Sequence, residues 1–325
     1  MKKRITIKDV ATETGLSMQA VSRALRGKDD IPPATRKKIL ETAERLGYVK
    51  NLAASALKAG HSRLIAVIYD NLLNPYFSIM TAYLQDSFKN LGYSILIVTA
   101  PHGRITKEVF FSTVSRGVDG IITFLEPSAE VGSLAMSYGV PIILLGRSAA
   151  CGRIDYLKTD DRKGGTLAAA HLVKAGCKTP LCVIEKMDMT CAQDRFDGYK
   201  EELTKLGLFD PKMVIVLENI TPEQAYATIK NSGIVPDGIF CFNDLIAFDI
   251  INSAKKDGVN IKVVGYDNIQ EDINIPYRLT TIGSDKKQMA TVAAEVLICK
   301  IENPEMQKKS FQKLHDVYLV EGESA

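Results

Sequence analysis

The sequence has little that suits metal or thiol chemistry. Its six cysteines, Cys151, Cys177, Cys182, Cys191, Cys241 and Cys299, are scattered, mostly within apolar runs, and no two form a CxxC pair. Buried free thiols are expected from that distribution. The four histidines, His61, His102, His171 and His315, are equally dispersed, so no spacing suggests a zinc site or a Cys/His nucleophile pair. No apolar run approaches the roughly 20 residues that a membrane span needs. The opening stretch MKKRITIKDV carries charge with no apolar segment behind it, and a cytoplasmic chain without membrane contact is expected. A phosphate-cradling glycine turn is also missing. AVIYDNLLNPYF, at the end of the first β-branched run, has no glycine, whereas a nicotinamide enzyme needs a GxGxxG there. No spacing demands an acid/base pair or a metal cluster, so neither catalytic residue, metal nor cofactor is expected, and the chain does not read as an enzyme.

What is present is length and uneven charge. A chain of 325 residues with 46% apolar content fits two or three units with substantial cores. Residues 1 to 63 hold 14 Lys+Arg against 6 Asp+Glu, a net of +8, and the remainder holds 27 against 32, a net of −5, which together give the +3 of the whole. A small basic head on a mildly acidic body points to a polyanion touched by the head alone.

The stretch LSMQAVSRALRG, Leu16 to Gly27, predicts a short helix. At 100° per residue Met18, Val21, Ala24 and Leu25 share one face, and Gln19, Ser22, Arg23 and Arg26 share the other. An amide, a hydroxyl and two guanidiniums, with no carboxylate among these twelve residues, suit base edges and phosphates; a solvated face carries arginines equally well. TIKDVATETG before it has capping-box spacing at Thr6 and Asp9, a stripe of Ile7, Val10 and Ala11, and Gly15 as a stop. Ser17 then caps the second helix. So short a turn between two short helices is the helix-turn-helix pattern, which offers its second helix to a major groove. IPPATRKKILETAERLGY supplies Pro33 near a first helical position, a stripe of Ile39, Leu40, Ala43 and Leu46, and Gly47 as a stop.

These residues, from TIKDVATETGLSMQAVSRALRG to TRKKILETAERLGYVKNLAASAL, resemble the head of a LacI/GalR-family transcription regulator over about sixty residues. The resemblance implies base contacts from Met18, Gln19 and Arg23, and phosphate contacts from Thr6, Ser17, Ser22 and Asn51. Met18 and Gln19 stand where members differ, which implies that they set operator preference; Ala20 stands where threonine is common. NLAASALKAG, Asn51 to Gly60, is too short for a stable helix alone. The resemblance implies a hinge helix over residues 50–61 that folds when two chains share a pseudo-palindromic operator. Ala54 would permit close approach of the two hinges, and Leu57 would be a minor-groove wedge.

From Arg63 onward short apolar runs alternate with helical periods: LIAVIYD, SILIVTA, DGIITF, VPIILLG, PLCVIE, MVIVLE, DGIFCFND and IKVVGYD. Continuous apolar strands between amphipathic helices of about 12 to 17 residues predict an α/β body of doubly wound parallel sheets, covered on both faces and falling into two lobes that break near Lys158 to Arg162. The body resembles the family's periplasmic-binding-protein-like core, including HLVKAGCKTP, FNDLIAFD, VVGYDN and LTTI. The expected organisation is a head at 1–49, a hinge at 50–61, one lobe at 62–159 and 285–313 that carries the dimer contact, and a second at 160–284 and 314–325.

In open α/β sheets ligands bind beyond the carboxyl ends of strands. Asp70, Asn71, Arg147, Asn243, Asp244 and Asp267 sit at such ends. Tyr76 and Phe77 can wall a ring, and Arg195 matches an arginine with which the family holds effector hydroxyls or a carboxylate. Each also has a plainer reading: Asp244 as a helix N-cap, Asp267 as turn chemistry, Tyr76 and Phe77 as core. The resemblance implies a homodimeric regulator, commonly a repressor, whose operator affinity answers to a small molecule between the lobes. A sugar is the favoured effector, with a purine or nucleoside, or a partner protein, as alternatives; a solute-binding protein would have the same body without the basic head.

Overall fold

The computed structural model describes residues 5–49, 60–70, 72–100, 103–149, 154–217, 221 and 224–325. The chain divides into two compact units, Met1–Ser62 and Arg63–Ala325.

Among its described residues the first unit holds three helices, α1 (Ile7–Thr14), α2 (Met18–Leu25) and α3 (Pro33–Leu46). The Thr6 hydroxyl accepts from the Asp9 amide while the Asp9 carboxylate accepts from the Thr6 amide, closing the expected capping box, and Gly15 ends α1 at φ 70°. Ser17 caps α2 by accepting from the Ala20 amide, and Pro33 opens α3. Val10, Ala11, Val21, Ala24, Ile39 and Ala43 form the core, with Leu16, Leu25, Leu46 and Tyr48 packed around it. Two residues read onto apolar faces lie outside: Met18 is 56% exposed and Leu40 46%. Both sit at the margin of their stripes, where the neighbouring helix no longer reaches.

The second unit opens with β1 (Leu64–Tyr69), α4 (Pro75–Asn90), β2 (Ser94–Thr99), β3 (Arg104–Ile105), α5 (Lys107–Val114), β4 (Gly120–Thr123), β5 (Glu126–Pro127), α6 (Ala129–Tyr138), β6 (Ile142–Leu145) and β7 (Asp155–Thr159). It continues with α7 (Asp161–Lys174), β8 (Pro180–Ile184), α8 (Thr190–Lys205), β9 (Val214–Val216), α9 (Ala225–Asn231), β10 (Gly238–Cys241), α10 (Asp244–Lys256), β11 (Lys262–Tyr266) and β12 (Thr280–Gly283). It closes with α11 (Lys286–Glu302), the single turn α12 (Pro304–Gln307), β13 (Gln312–His315) and β14 (Tyr318–Val320).

Two six-stranded sheets result, in the orders β13-β7-β6-β4-β1-β2 and β14-β12-β11-β10-β8-β9. The first is wholly parallel. The second is parallel except at its edge, where β14 runs against β12. All eight apolar runs read from the sequence become strands. β7 and β13 do not stand out as such runs, because DYLKT and QKLH are too polar to carry the signal. Helices α5 with 8 residues, α6 with 10 and α9 with 7 fall short of the expected length.

The chain passes between the sheets three times, after β7, after β12 and after β13. The boundary expected between residues 313 and 314 falls inside β13, which runs to His315. Cys177, Cys182, Cys191 and Cys241 are buried free thiols and Cys299 is a half-buried one; Cys151 lies outside the described residues. No described helix is long and apolar enough to cross a membrane.

Candidate functional site

The head presents one face of α2. Met18, Gln19 and Arg26 are exposed and Ser22 and Arg23 half-buried. Arg26 Nε donates to the Ser22 carbonyl at 3.1 Å, which keeps that guanidinium along the helix. Arg23 meets a carboxylate after all, since its Nη2 pairs with Asp30 from the loop beyond the helix. Ser17 Oγ spends one lone pair on the cap and keeps its own hydrogen to donate. Thr6 does not: its hydroxyl donates to Asp9 Oδ2 at 2.7 Å while accepting from the Asp9 amide at 3.4 Å. A phosphate must therefore displace Asp9 to use it. Asn51, Ala54 and Leu57 lie outside the described residues.

In the second unit a cavity of about 340 Å³ opens where both sheets present their carboxyl ends, at the small end of the roughly 300–1,000 Å³ usual for ligand sites. Asp70 follows β1, Phe124 β4, Arg147 β6, Glu185 β8, Asn243 β10 and Asp267 β11, and all line it. Tyr76 and Phe77 reach it from the first turn of α4, which Asn74 caps by accepting from the Tyr76 amide. Phe77 and Phe124 meet edge to face with centroids 5.3 Å apart. Burial pushes the Tyr76 hydroxyl well above its ordinary pKa, with the Asp267 charge adding to it and Arg195 opposing.

Arg195 lies on the opposite wall, 8% exposed. Its Nε donates to Asp161 Oδ1 at 2.9 Å and its Nη1 to the Phe242 carbonyl at 2.5 Å. Nη2 stands 3.9 Å from Asp267 Oδ1. The guanidinium also lies 3.5 Å from the Tyr266 ring centroid and 4.6 Å from that of Phe242, a favourable cation–π setting. Burial works to lower the Arg195 pKa, but Asp161, Tyr266 and Asp267 hold it above its ordinary value. Burial pushes Asp267 up to about 7 despite Arg195 and Lys286.

The position of Arg195 follows from glycines. A Cβ on Gly165 would stand 1.9 Å from the Arg195 carbonyl, and one on Gly198 1.9 Å from that of Arg162. Only hydrogen at both lets α7 and α8 pack backbone to backbone, which brings Arg195 against Asp161. The backbone of Asp267 is left-handed at φ 103°, and that of Asn268 at φ 48°.

Asp244, expected at the ligand, is only 1% exposed and lies behind the cleft. Its carboxylate accepts from the Thr281 hydroxyl at 2.6 Å and from the Ile269 amide at 2.9 Å. Nor is it the N-cap. Asn243 caps α10, accepting from the Ile246 amide at 3.0 Å, and borders the cleft as well. Asn71 lies outside the described residues. A second depression, of about 430 Å³, sits beside α6, β13 and Lys300. Lys300 is already consumed by Asp155 at 2.7 Å and by the Lys309 carbonyl at 2.6 Å. Among the described residues no three His, Cys, Asp or Glu side chains gather as a metal site.

Residues 62–316 match the family model described as periplasmic binding proteins and sugar binding domain of the LacI family, and residues 6–51 match bacterial regulatory proteins of the lacI family. The chain belongs to the LacI family. It is a DNA-binding transcription regulator with an effector-binding core. The repressor PurR of Aliivibrio fischeri strain MJ11 is 25% identical over 96% of both chains. The regulator DegA of Bacillus subtilis strain 168 is 27% identical over 88% of both. A lac repressor dimer bound to operator and the anti-inducer ONPF superposes with a TM-score of 0.83 at 23% identity over 99% of both chains. An Enterococcus faecium LacI-family regulator with bound ribose covers 80% of this chain and 98% of its own, with a TM-score of 0.70 at 25% identity.

Several cleft residues of this LacI-family core carry no signal of their own in the sequence. Asp161 falls in the stretch Lys158 to Arg162 where the lobes part, and it anchors Arg195 from 34 residues away. Glu185 closes the run PLCVIE and gives no signal of its own beyond standing at a strand end. Asn74, Phe124, Thr159, Met189, Cys191, Tyr266 and Ser284 also line the cleft. The doublet Gly164–Gly165 and the glycine of FDGY were the available clues to the helix contact that sets Arg195.

Proposed function

We propose that this chain is a homodimeric repressor whose affinity for a pseudo-palindromic operator is set by a sugar bound between the two lobes of residues 63–325. The observation that carries the reading is the pairing of Arg195 with Asp267 on one wall of the cleft, facing Tyr76, Phe77 and Phe124 on the other. Carboxylates accept from sugar hydroxyls, a guanidinium donates to ring and hydroxyl oxygens, and aromatic rings cover the apolar face of a pyranose or furanose. The ribose-bound relative supports this class. The same rings can stack on a purine, and the relatives named PurR favour that second reading.

In this reading residues 1–49 read the operator, with Met18, Gln19 and Arg23 on base edges and Thr6, Ser17 and Ser22 on phosphates. Residues 50–61, with Asn51, Ala54 and Leu57, act as the paired hinge. Residues 62–159 and 285–313 form the dimerising lobe, and 160–284 with 314–325 the other. The effector shifts the equilibrium between two lobe arrangements and thereby the spacing of the hinges; coupling of about 1–3 kcal/mol changes occupancy 5- to 150-fold. The test is a thermal-shift screen of sugars, sugar phosphates and nucleobases on the full chain, because a ligand of the folded state raises its melting point. Stabilisation by nucleobases alone would replace the sugar with the purine.

A further inference from the structure

We propose that Thr190 is a positioning residue of the effector cleft: its hydroxyl ties the start of α8 to the chain beyond β6 and so holds the cleft closed, with Arg195 facing Tyr76 and Phe77, before any effector arrives. The proposal rests on the reading of the cleft as the effector site and needs no choice between sugar and purine.

Thr190 Oγ1 accepts from the Ser148 amide at 3.2 Å and donates to the Ser148 carbonyl at 2.9 Å. Ser148 follows β6 of the first sheet, whereas α8 packs on the second through Cys191, Ala192, Tyr199 and Leu203. One side chain thus bonds both main-chain groups of a residue across the cleft. A threonine at a helix start commonly serves its own helix, where its oxygen satisfies a first-turn amide. α8 begins at Met189 with no side-chain cap, and the Thr190 hydroxyl goes to the other sheet.

One turn on, Asp194 pairs with the buried Lys158 of β7. Residues one turn apart share a face of a helix, so Thr190 and Asp194 give α8 a flank fastened to the first sheet. Cys191 and Arg195, each one residue further along, give the neighbouring flank, which lines the cavity. Fastening the first flank fixes the angle at which the second presents the Arg195 guanidinium. Tyr83 of α4 ties the segment after Asp267 in the same way, through Asp272. Arg195 and Asp267 are therefore both set by bonds that the effector does not make, and walls ordered in advance lose less freedom on binding.

The experiment follows amide hydrogen exchange of the ligand-free full chain, read by peptide mass, in wild type, Thr190→Val, Thr190→Ser and Ser148→Ala. Valine keeps the branched shape without the hydroxyl, serine keeps the hydroxyl, and alanine at 148 leaves both main-chain partners in place. Two cleft peptides remote in sequence from the tie report on closure: residues 74–78, where Asn74 accepts from the Tyr76 amide, and residues 243–247, where Asn243 accepts from the Ile246 amide. Thr190→Val is expected to speed exchange of both by roughly fivefold, the scale of a lost hydrogen-bonded tie, while residues 65–69 of β1 keep the wild-type rate. Thr190→Ser and Ser148→Ala are expected to match wild type throughout. Acceleration confined to residues 145–149 and 189–194 would make the contact a local one and overturn the inference. Acceleration of β1 by the same factor, or an equal effect from Thr190→Ser or Ser148→Ala, would overturn it too. None of these outcomes touches the effector reading, which the thermal-shift screen tests by itself.

Discussion

Lys286 Nζ donates to the main-chain carbonyl of Asp267 at 3.2 Å, so the first residue of a helix packed on one sheet holds the backbone of a cleft residue from the other. The same ammonium bonds the Asn268 carbonyl at 3.0 Å and pairs with Asp272 Oδ2 at 3.0 Å. Tyr83 of α4 donates to the other Asp272 oxygen. Asp267 and Asn268 both have positive φ, a backbone state that costs about 1–3 kcal/mol and persists only where its surroundings hold it. Lys286, 3% exposed, supplies that hold.

Lys286→Met is therefore expected to cost roughly 3–5 kcal/mol, the usual loss when one member of a buried pair is removed, and to weaken effector binding through the slackened Asp267. Tyr83→Phe removes one hydrogen bond to a charged carboxylate and is expected to cost about 1.5–3 kcal/mol. Scanning calorimetry of the two variants checks the order; a Lys286→Met melting point equal to wild type would remove Lys286 from this role.

Stability should also depend on pH. Burial, with the Asp267 charge adding to it, raises Asp244 to about 8, and Asp267 itself sits at about 7. A carboxyl group with a raised folded pKa binds its proton more tightly folded than unfolded, where the value is about 3.9. Its contribution is full below that value and is lost as pH climbs through the folded one. The calorimetric midpoint of residues 63–325 within the full chain is expected to fall between pH 5 and 8.5, and Asp244→Asn to flatten the fall. A midpoint that rises across that window would contradict the assignment.

Gly165 and Gly198 make a sharper test of how Arg195 is placed. Alanine at either would put a methyl group 1.9 Å from a carbonyl oxygen of the facing helix. The two helices would have to separate, drawing Arg195 from Asp161. Gly165→Ala is expected to lower the melting point and abolish sugar-dependent stabilisation, whereas Gly207→Ala, at a site with open space around it, is expected to change stability only through its positive φ and to leave the ligand response intact.

These cases mark what was legible in the sequence. Apolar runs reported eight strands: six of them are buried on both faces and so must be apolar throughout, while β2 and β9 are apolar although, at the sheet edges, they are only partly buried. β7 and β13 escaped, being mixed in polarity at the margin of their sheet. Asp70, Arg147, Asn243 and Asp267 could be read as cleft residues because strand ends converge there. The difference between Asn243 and Asp244 could not, since consecutive residues at a helix start point in different directions. A pair such as Asp161 and Arg195 exists only through the packing of two helices, which no local pattern records.

The head yields the last prediction. Arg23 and Asp30 form an ion pair on its surface, with side chains 41% and 45% exposed. Pairs so exposed contribute about 0–1 kcal/mol, whereas a bidentate contact between arginine and a guanine edge discriminates by about 1–3 kcal/mol. A cognate groove can thus take Arg23 from Asp30, and a random sequence gains less by doing so. Arg23→Ala is expected to cost roughly 1–3 kcal/mol on a duplex selected from a random library by the full chain, and much less on unselected DNA. Asp30→Asn releases the guanidinium and removes a negative charge near the phosphates, so it is expected to tighten binding to both duplexes and to narrow the ratio between them. Fluorescence anisotropy at fixed salt measures the six affinities, of wild type and the two variants on both duplexes. Equal losses on both duplexes for Arg23→Ala would make Arg23 a phosphate contact, and an unchanged ratio for Asp30→Asn would mean that the ion pair does not restrain it.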